Sequence, residues 1–257
     1  MRMGFESGKY IDFARDTAIR AGGVTLDYFR KGIRVENKSD MSPVTVADRE
    51  TEQFIRREIQ KKFPGHGIIG EEFGVDDSGS PFRWIIDPID GTKSFIRGIP
   101  LYTVLIALEY EGEPVIGVIH NPFMNETVWA ASGTGCFFNG TRCRVGEKEN
   151  IGDALVLVTD CAHCAKNHPG FFSRLMQISG QCRTWGDAYG YLMVATGRAD
   201  AMIDPVLKIW DVAPLRPIIT EAGGAFTDIH GSAAVYPESA VAANKAIHDS
   251  IINLMKE

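Results

Sequence analysis

The segment Asp87-Pro88-Ile89-Asp90-Gly91-Thr92 places two carboxylates three residues apart, with a tight turn and a hydroxyl, directly after the apolar run Trp84-Ile85-Ile86. Carboxylate oxygens at that spacing can share or bridge hard divalent cations. Mg2+ in particular takes one or two carboxylates and completes its shell with water and substrate phosphate. Gly91 lets the backbone approach a ligand closely. Thr92-Lys93-Ser94-Phe95 predicts a short helix whose first N–H groups face back into the turn, where they suit a phosphate. Taken singly, Asp87 reads better as a strand-end residue capping a turn and Asp90-Gly91 as ordinary turn chemistry.

Other acids at element ends strengthen the chemical reading. Glu71 follows its own apolar strand, Ile68-Ile69-Gly70. Asp48 falls early in a predicted helix, where an acid also favours the helix dipole. Asp211 follows Ile209-Trp210 and precedes a helix, where capping is the competing role. The spacing Asp-x-x-Asp-Gly-Thr is not the Asp-x-Asp of haloacid-dehalogenase-type phosphatases, so a covalent aspartyl-phosphate is not indicated. No Gly-x-x-x-x-Gly-Lys-Ser/Thr loop and no Gly-x-Ser-x-Gly elbow occurs.

The elements that must position these residues follow from periodicity. Residues 8–30 and 46–63 predict helices, the first with Tyr10, Ala14, Ala18, Ala21, Leu26 and Phe29 on one face. Pro64-Gly65 ends the second. Strands are predicted over 67–70, 83–87, 103–110, 114–120 and 126–131, with Asp76–Pro81 a polar loop and Pro88 stopping the ladder. Glu111-Gly112-Glu113 and Asn139-Gly140 predict hairpin turns. The second half alternates: strands 154–159, 201–203 and 225–228, and helices 169–178, 187–196, 211–221 and 245–256. Residues 1–150 then form helices plus an antiparallel sheet carrying most of the acids. Residues 151–257 form an α/β half, and the two pack as one unit with a boundary near Glu147–Asp153.

Composition bounds the rest. The 257 residues are 44% hydrophobic and 23% charged, ordinary values for a globular protein with a real core. A net charge of -6 disfavours nucleic acid. No apolar run approaches the ~20 residues of a membrane span. Met1 to Phe13 carries no apolar signal core, so the expected setting is cytoplasmic. Five cysteines, an odd number without a secretory signal, predict reduced thiols. Cys161-Ala-His-Cys164, with His163 and His168 nearby, has metal-like spacing but lacks a second pair to complete a zinc site.

The blocks Pro43-Val44-Thr45-Val46-Ala47-Asp48, Gly70-Glu71-Glu72, Trp84 to Thr92, and Trp210-Asp211-Val212-Ala213 leading to Glu221-Ala222-Gly223-Gly224 occur in one order along the chain. They resemble the inositol monophosphatase family of Mg2+-dependent phosphatases. Gly70-Glu71-Glu72-Phe73-Gly74, Gly91 to Gly98, Asp187-Ala188-Tyr189-Gly190-Tyr191 and Asp204-Pro205-Val206-Leu207-Lys208 are most similar to its histidinol-phosphate phosphatase subgroup. The resemblance implies a layered αβαβα α/β fold, two to three Mg2+ ions, a homodimer and a small phosphorylated substrate. It implies that Asp87 bridges two ions, with Glu71 and the Ile89 carbonyl completing one site and Asp90 and Asp211 the other. Thr92 and Asp48 would orient a metal-activated water, and the Gly91 and Thr92 N–H groups would hold the phosphate. In-line hydrolysis of L-histidinol phosphate to L-histidinol and phosphate follows.

Substrate recognition is expected from Asp187 and Asp204, whose carboxylates suit the cationic amine and imidazole of histidinol. Asp90 and Arg97 are further candidates. For Asp187, a helix N-cap after Gly186 is an equal alternative. An inositol-1-phosphate or broad sugar-phosphate monoesterase is the first rival reading. The second is a binding or regulatory partner with vestigial activity.

Overall fold

The computed structural model describes residues 7–32, 34–37 and 43–256. The first six residues of the N-terminal stretch read above lie outside these. Among the described residues, two main sheets alternate with three helical layers.

The larger sheet runs Thr141–Cys143, Gly135–Phe138, Glu126–Ala131, Glu113–Asn121, Thr103–Tyr110, Phe82–Asp90, Gly67–Gly70, Gly74–Asp76. Its neighbours are antiparallel except Gly67–Gly70 beside Phe82–Asp90. That parallel pair ends two strands at the same edge, which brings Glu71 close to Asp87. The smaller sheet runs Gln181–Arg183, Leu155–Val158, Ala201–Asp204, Ala240–Ala243, Ala225–Thr227.

The layers follow from which faces are apolar. Helices Ser7–Leu26 and Val46–Lys62 bury Tyr10, Ala14, Ala18, Ile55 and Ile59 against Trp84, Ile86 and Ile106 on one face of the large sheet. Helices Ala188–Ala195 and Leu215–Glu221 fill the space between the sheets. All eight residues of Ala188–Ala195 are buried, as a helix covered on every side requires. Pro169–Ile178 and Lys245–Lys256 cover the outer face of the small sheet through Phe171, Leu175, Ile247 and Ile251. The result is the expected αβαβα order. The smallest spacings are held by glycine: a Cβ on Gly117 would lie 2.1 Å from the Pro214 carbonyl oxygen, so the sheet and the helical layer meet backbone to backbone.

Both predicted hairpins form, with Glu111-Gly112 and Asn139-Gly140 all at positive φ, the geometry of turns that match strand twist. The five cysteines are free. Three expectations need correcting. Pro88 does not stop the ladder: the strand continues to Asp90 across a register shift between Asp87 and Asp90, and a bulge is where a missing N–H is tolerated. The predicted helix 211–221 is two helices, Ile209–Val212 and Leu215–Glu221, interrupted around Pro214. The loop assigned to 76–81 starts later, because Gly74–Asp76 forms an edge strand. No helix among the described residues is long and apolar enough to cross a membrane.

Candidate metal centre and active site

The bulge at Pro88 turns both ends of Asp87-Pro88-Ile89-Asp90 toward one spot. The Ile89 N–H donates to Asp87 Oδ1 at 3.0 Å, which fixes the first carboxylate against its own backbone. Asp90 Oδ2 accepts from Thr103 Oγ1 at 3.1 Å and from the Ala188 N–H at 2.6 Å. Gly91 then adopts φ 85 and opens the short helix Thr92–Phe95. A Cβ there would sit 2.9 Å from Leu101 O and 3.0 Å from Asp187 Oδ2, so both the conformation and the space demand glycine.

Asp211 is not an N-cap. It is the third residue of Ile209–Val212, and its Oδ2 accepts from the Lys208 N–H at 2.7 Å. Asp48 has the same placement in Val46–Lys62. Its Oδ2 accepts from the Thr45 N–H at 2.8 Å and from Thr45 Oγ1 at 2.6 Å, while the Thr45 hydroxyl oxygen takes the Ala47 N–H at 3.1 Å. This is a capping box. The other oxygen, Oδ1, lies 3.4 Å from Thr92 Oγ1, which also donates to the Ile89 carbonyl at 3.0 Å. Each of these acids commits one oxygen to the fold and keeps the second outside those bonds.

Carboxylate oxygens of Asp87, Asp90 and Asp211 all lie within 4.8 Å of one another. Burial disfavours their charged forms and mutual repulsion adds to it. Asp87 is driven well above the usual carboxylate range by burial, then by Glu71, Asp90 and Asp211. Asp90 is driven up by burial, Asp187 and Asp211. Asp211 rises to about 6, by burial against the Lys208 N–H, with Glu71 adding to the rise. Asp48 also rises to about 6, chiefly by burial, with Glu71 again contributing. Glu71 therefore belongs to the cluster electrostatically. An all-oxygen set, buried at Asp87 and half-buried at Asp90 and Asp211, that repels itself is what a hard divalent cation satisfies, so these residues fit a metal centre. Cys161, His163 and Cys164 instead lie on the helix Cys161–Asn167, whose start is capped by Asp160 through the His163 N–H at 2.8 Å.

Asp187 stands at the start of Ala188–Ala195 but makes no side-chain cap bond, and its backbone is at φ 51, ψ -161. Such strain concentrates at functional sites. Its carboxylate lies over Gly91 and is raised by burial, with Lys93 opposing. Asp204 is 4% exposed, accepts from Thr159 Oγ1 at 2.9 Å and from the Val206 N–H at 3.4 Å, and rises to about 8 through burial. Arg97 is exposed and donates to the Lys93 carbonyl at 3.0 Å.

A family model described as the inositol monophosphatase family matches residues 7–257. The chain belongs to that family. It is therefore a phosphoric monoester hydrolase of a metal-dependent class. It is 42% identical to a histidinol-phosphatase of Chlorobaculum parvum, over 94% of this chain and 95% of that protein. It is 35% identical to a histidinol-phosphatase of Mycobacterium tuberculosis, over 92% and 90%. A fructose-1,6-bisphosphatase/inositol-1-monophosphatase of Aquifex aeolicus is 33% identical over 97% and 96%. Among solved structures, the extragenic suppressor protein suhB from Bartonella henselae matches with a TM-score of 0.91 at 30% identity, covering 97% of this chain and 99% of that one. A Thermotoga maritima IMPase matches at 0.90 and 31%, covering 96% and 97%. The family membership gives the chain its chemistry, phosphate ester hydrolysis.

Sequence reasoning missed the supporting residues Thr45, Thr103, Thr159 and Glu52. Of these, Thr45 was accessible, since Thr45-x-x-Asp48 has the capping-box spacing. The others reach across tertiary contacts that no local pattern encodes.

Proposed function

We propose that this chain is a Mg2+-dependent phosphatase that hydrolyses L-histidinol phosphate to L-histidinol and inorganic phosphate. The observation carrying this reading is the 42% identity to a histidinol-phosphatase across nearly the whole of both chains. In this reading Asp87, Asp90 and Asp211, together with Glu71 and the Ile89 carbonyl, would hold two to three ions. The ions, when bound, lower the pKa of a water and offset phosphate charge.

The remaining steps fall to the chain's own groups. The Thr92 hydroxyl can turn from the Ile89 carbonyl to donate to Asp48 Oδ1, 3.4 Å away, which leaves its lone pairs to accept a proton from the attacking water as its own passes to Asp48. Asp48, whose affinity for protons is raised, takes up that proton through the Thr92 hydroxyl. The N–H groups of Gly91 and Thr92 hold the phosphate oxygens. Asp187 meets the cationic end of histidinol, and Asp90 steadies the alcohol side. Asp204, which burial keeps protonated near neutral pH, offers a hydrogen bond to the imidazole end of histidinol, and Arg97 is a further substrate contact. A cytoplasmic homodimer completes the reading; light scattering on the purified protein tests the assembly.

A second reading, a broader sugar-phosphate monoesterase, is favoured by the 33% identity to the bifunctional Aquifex aeolicus enzyme. Phosphate release from L-histidinol phosphate, inositol 1-phosphate and fructose 1,6-bisphosphate, with Mg2+ and after chelation, separates the two. Histidinol phosphate is expected to lead in kcat/KM by at least about tenfold. Comparable turnover of inositol 1-phosphate overturns the substrate assignment, and Mg2+-dependent release by Asp87→Asn overturns the metal assignment.

A further inference from the structure

Glu52 is fully buried on the helix Val46–Lys62, one turn after Asp48 and on the same face. A buried carboxylate needs partners, and Glu52 has three. Its Oε2 accepts from the Glu72 N–H at 2.7 Å, and its Oε1 accepts from the Phe73 N–H at 3.2 Å and from Arg56 Nε at 2.7 Å. Arg56 reaches on to the Gly74 carbonyl. The two backbone donors belong to the turn that carries Glu71. The fit is tight: a Cβ on Gly70 would stand 1.9 Å from Glu52 Oε1. The absent side chain at Gly70 is the space Glu52 occupies.

We infer that Glu52 is a positioning residue for the metal site. It clamps the Gly70–Gly74 turn from below and so sets where the Glu71 carboxylate stands relative to Asp87. One helix then supplies both the acid beside Thr92 and the clamp on Glu71, so the two sides of the cluster are fixed to one rigid body. The inference rests on the reading of Glu71 as a metal ligand.

The test compares Mg2+ affinity, read by calorimetry and by the Mg2+-induced rise in melting temperature of each variant over its own metal-free form. Glu52→Gln keeps the shape but replaces one acceptor oxygen with an amide that faces an N–H donor. It is expected to weaken Mg2+ binding by about tenfold, the scale of outer-shell changes at metal sites. At saturating Mg2+ the KM for histidinol phosphate stays unchanged. Arg56→Gln, which leaves the Glu52 carboxylate in place, is expected to weaken binding by about threefold, and it serves if Glu52→Gln does not fold. In an Glu71→Gln background, Glu52→Gln adds nothing further, because the two act through one ligand. If Glu71→Gln alone leaves Mg2+ affinity intact, the ligand reading fails. If Glu71→Gln weakens it but Glu52→Gln and Arg56→Gln do not, or if they weaken it additively with Glu71→Gln, the positioning role is overturned.

Discussion

Asp90 Oδ2 and the backbone N–H of Ala188 meet at 2.6 Å, across a sequence separation of 98. This bond ties the end of the Phe82–Asp90 strand to the first turn of the buried helix between the sheets. It also sets the neighbouring Asp187 over Gly91. Asp90→Asn retains an acceptor for Ala188 but loses the charge. It should abolish Mg2+-dependent phosphate release with little change in metal-free melting temperature. Asp90→Ala also leaves the Ala188 N–H buried without this partner, at about 1–3 kcal/mol, so it should melt several degrees lower. Equal melting temperatures for the two variants would remove the structural role.

Thr92 is the hydroxyl between Asp48 Oδ1 and the Ile89 carbonyl. Thr92→Ala is expected to lower kcat by about 10²–10⁴-fold, the usual worth of a positioned proton-transfer group. Thr92→Ser should recover most of it. Steady-state rates at saturating Mg2+ decide, and an equal loss in both variants would move the role from the hydroxyl to the methyl group.

Asp48 and Asp211 are held to about 6, and Asp87 and Asp90 are raised well above the usual carboxylate range, by burial and by their neighbours. Near pH 6 the metal-free cluster therefore retains protons that a cation must displace. Calorimetry in buffers of different ionisation enthalpy should register net proton release on Mg2+ binding. Affinity should strengthen as pH rises through about 6. Absence of both effects would mean that the acids are already ionised in the free protein.

Asp204 gives a different pH signature. Its folded value is about 8, against about 3.9 in the unfolded chain. Between these values the folded protein holds a proton that the unfolded chain has released, so stability falls as pH rises through that window. Asp204→Asn removes the titration. An amide can accept from Val206, and the Thr159 hydroxyl can turn to accept from its NH2 group. Without metal, the melting temperature of Asp204→Asn should match the parent near pH 4 and exceed it increasingly toward about pH 8. A gap that does not vary with pH would show that Asp204 is ionised when folded.

The main helices, most strands and the acids at their ends were legible because they are written locally, whereas the layered order came from the family resemblance. Ile85-Ile86 marks a buried strand, Asp90-Gly91 a turn, and the pattern over 187–196 a helix. Pro88 misled because its missing N–H was read as a strand end, whereas a bulge absorbs it. Ala240–Ala243 carries only one β-branched residue and Gln181–Arg183 only three residues in all. Neither signals a strand until the smaller sheet supplies its partners. Glu52 was illegible for a different reason. On a helix it reads as a solvated acid, and only the empty side chain at Gly70, eighteen residues away, makes it a buried one.

Asp48, Asp87, Asp90 and Asp211 are each fastened by one oxygen to a backbone or hydroxyl donor of the chain itself. A cation leaving these acids would thus leave a frame that does not have to be rebuilt before the next one arrives. The pace of metal exchange should then be governed by stripping water from Mg2+, which that ion yields reluctantly, rather than by rearrangement of the protein. An enzyme made this way would follow the free magnesium around it without a refolding delay.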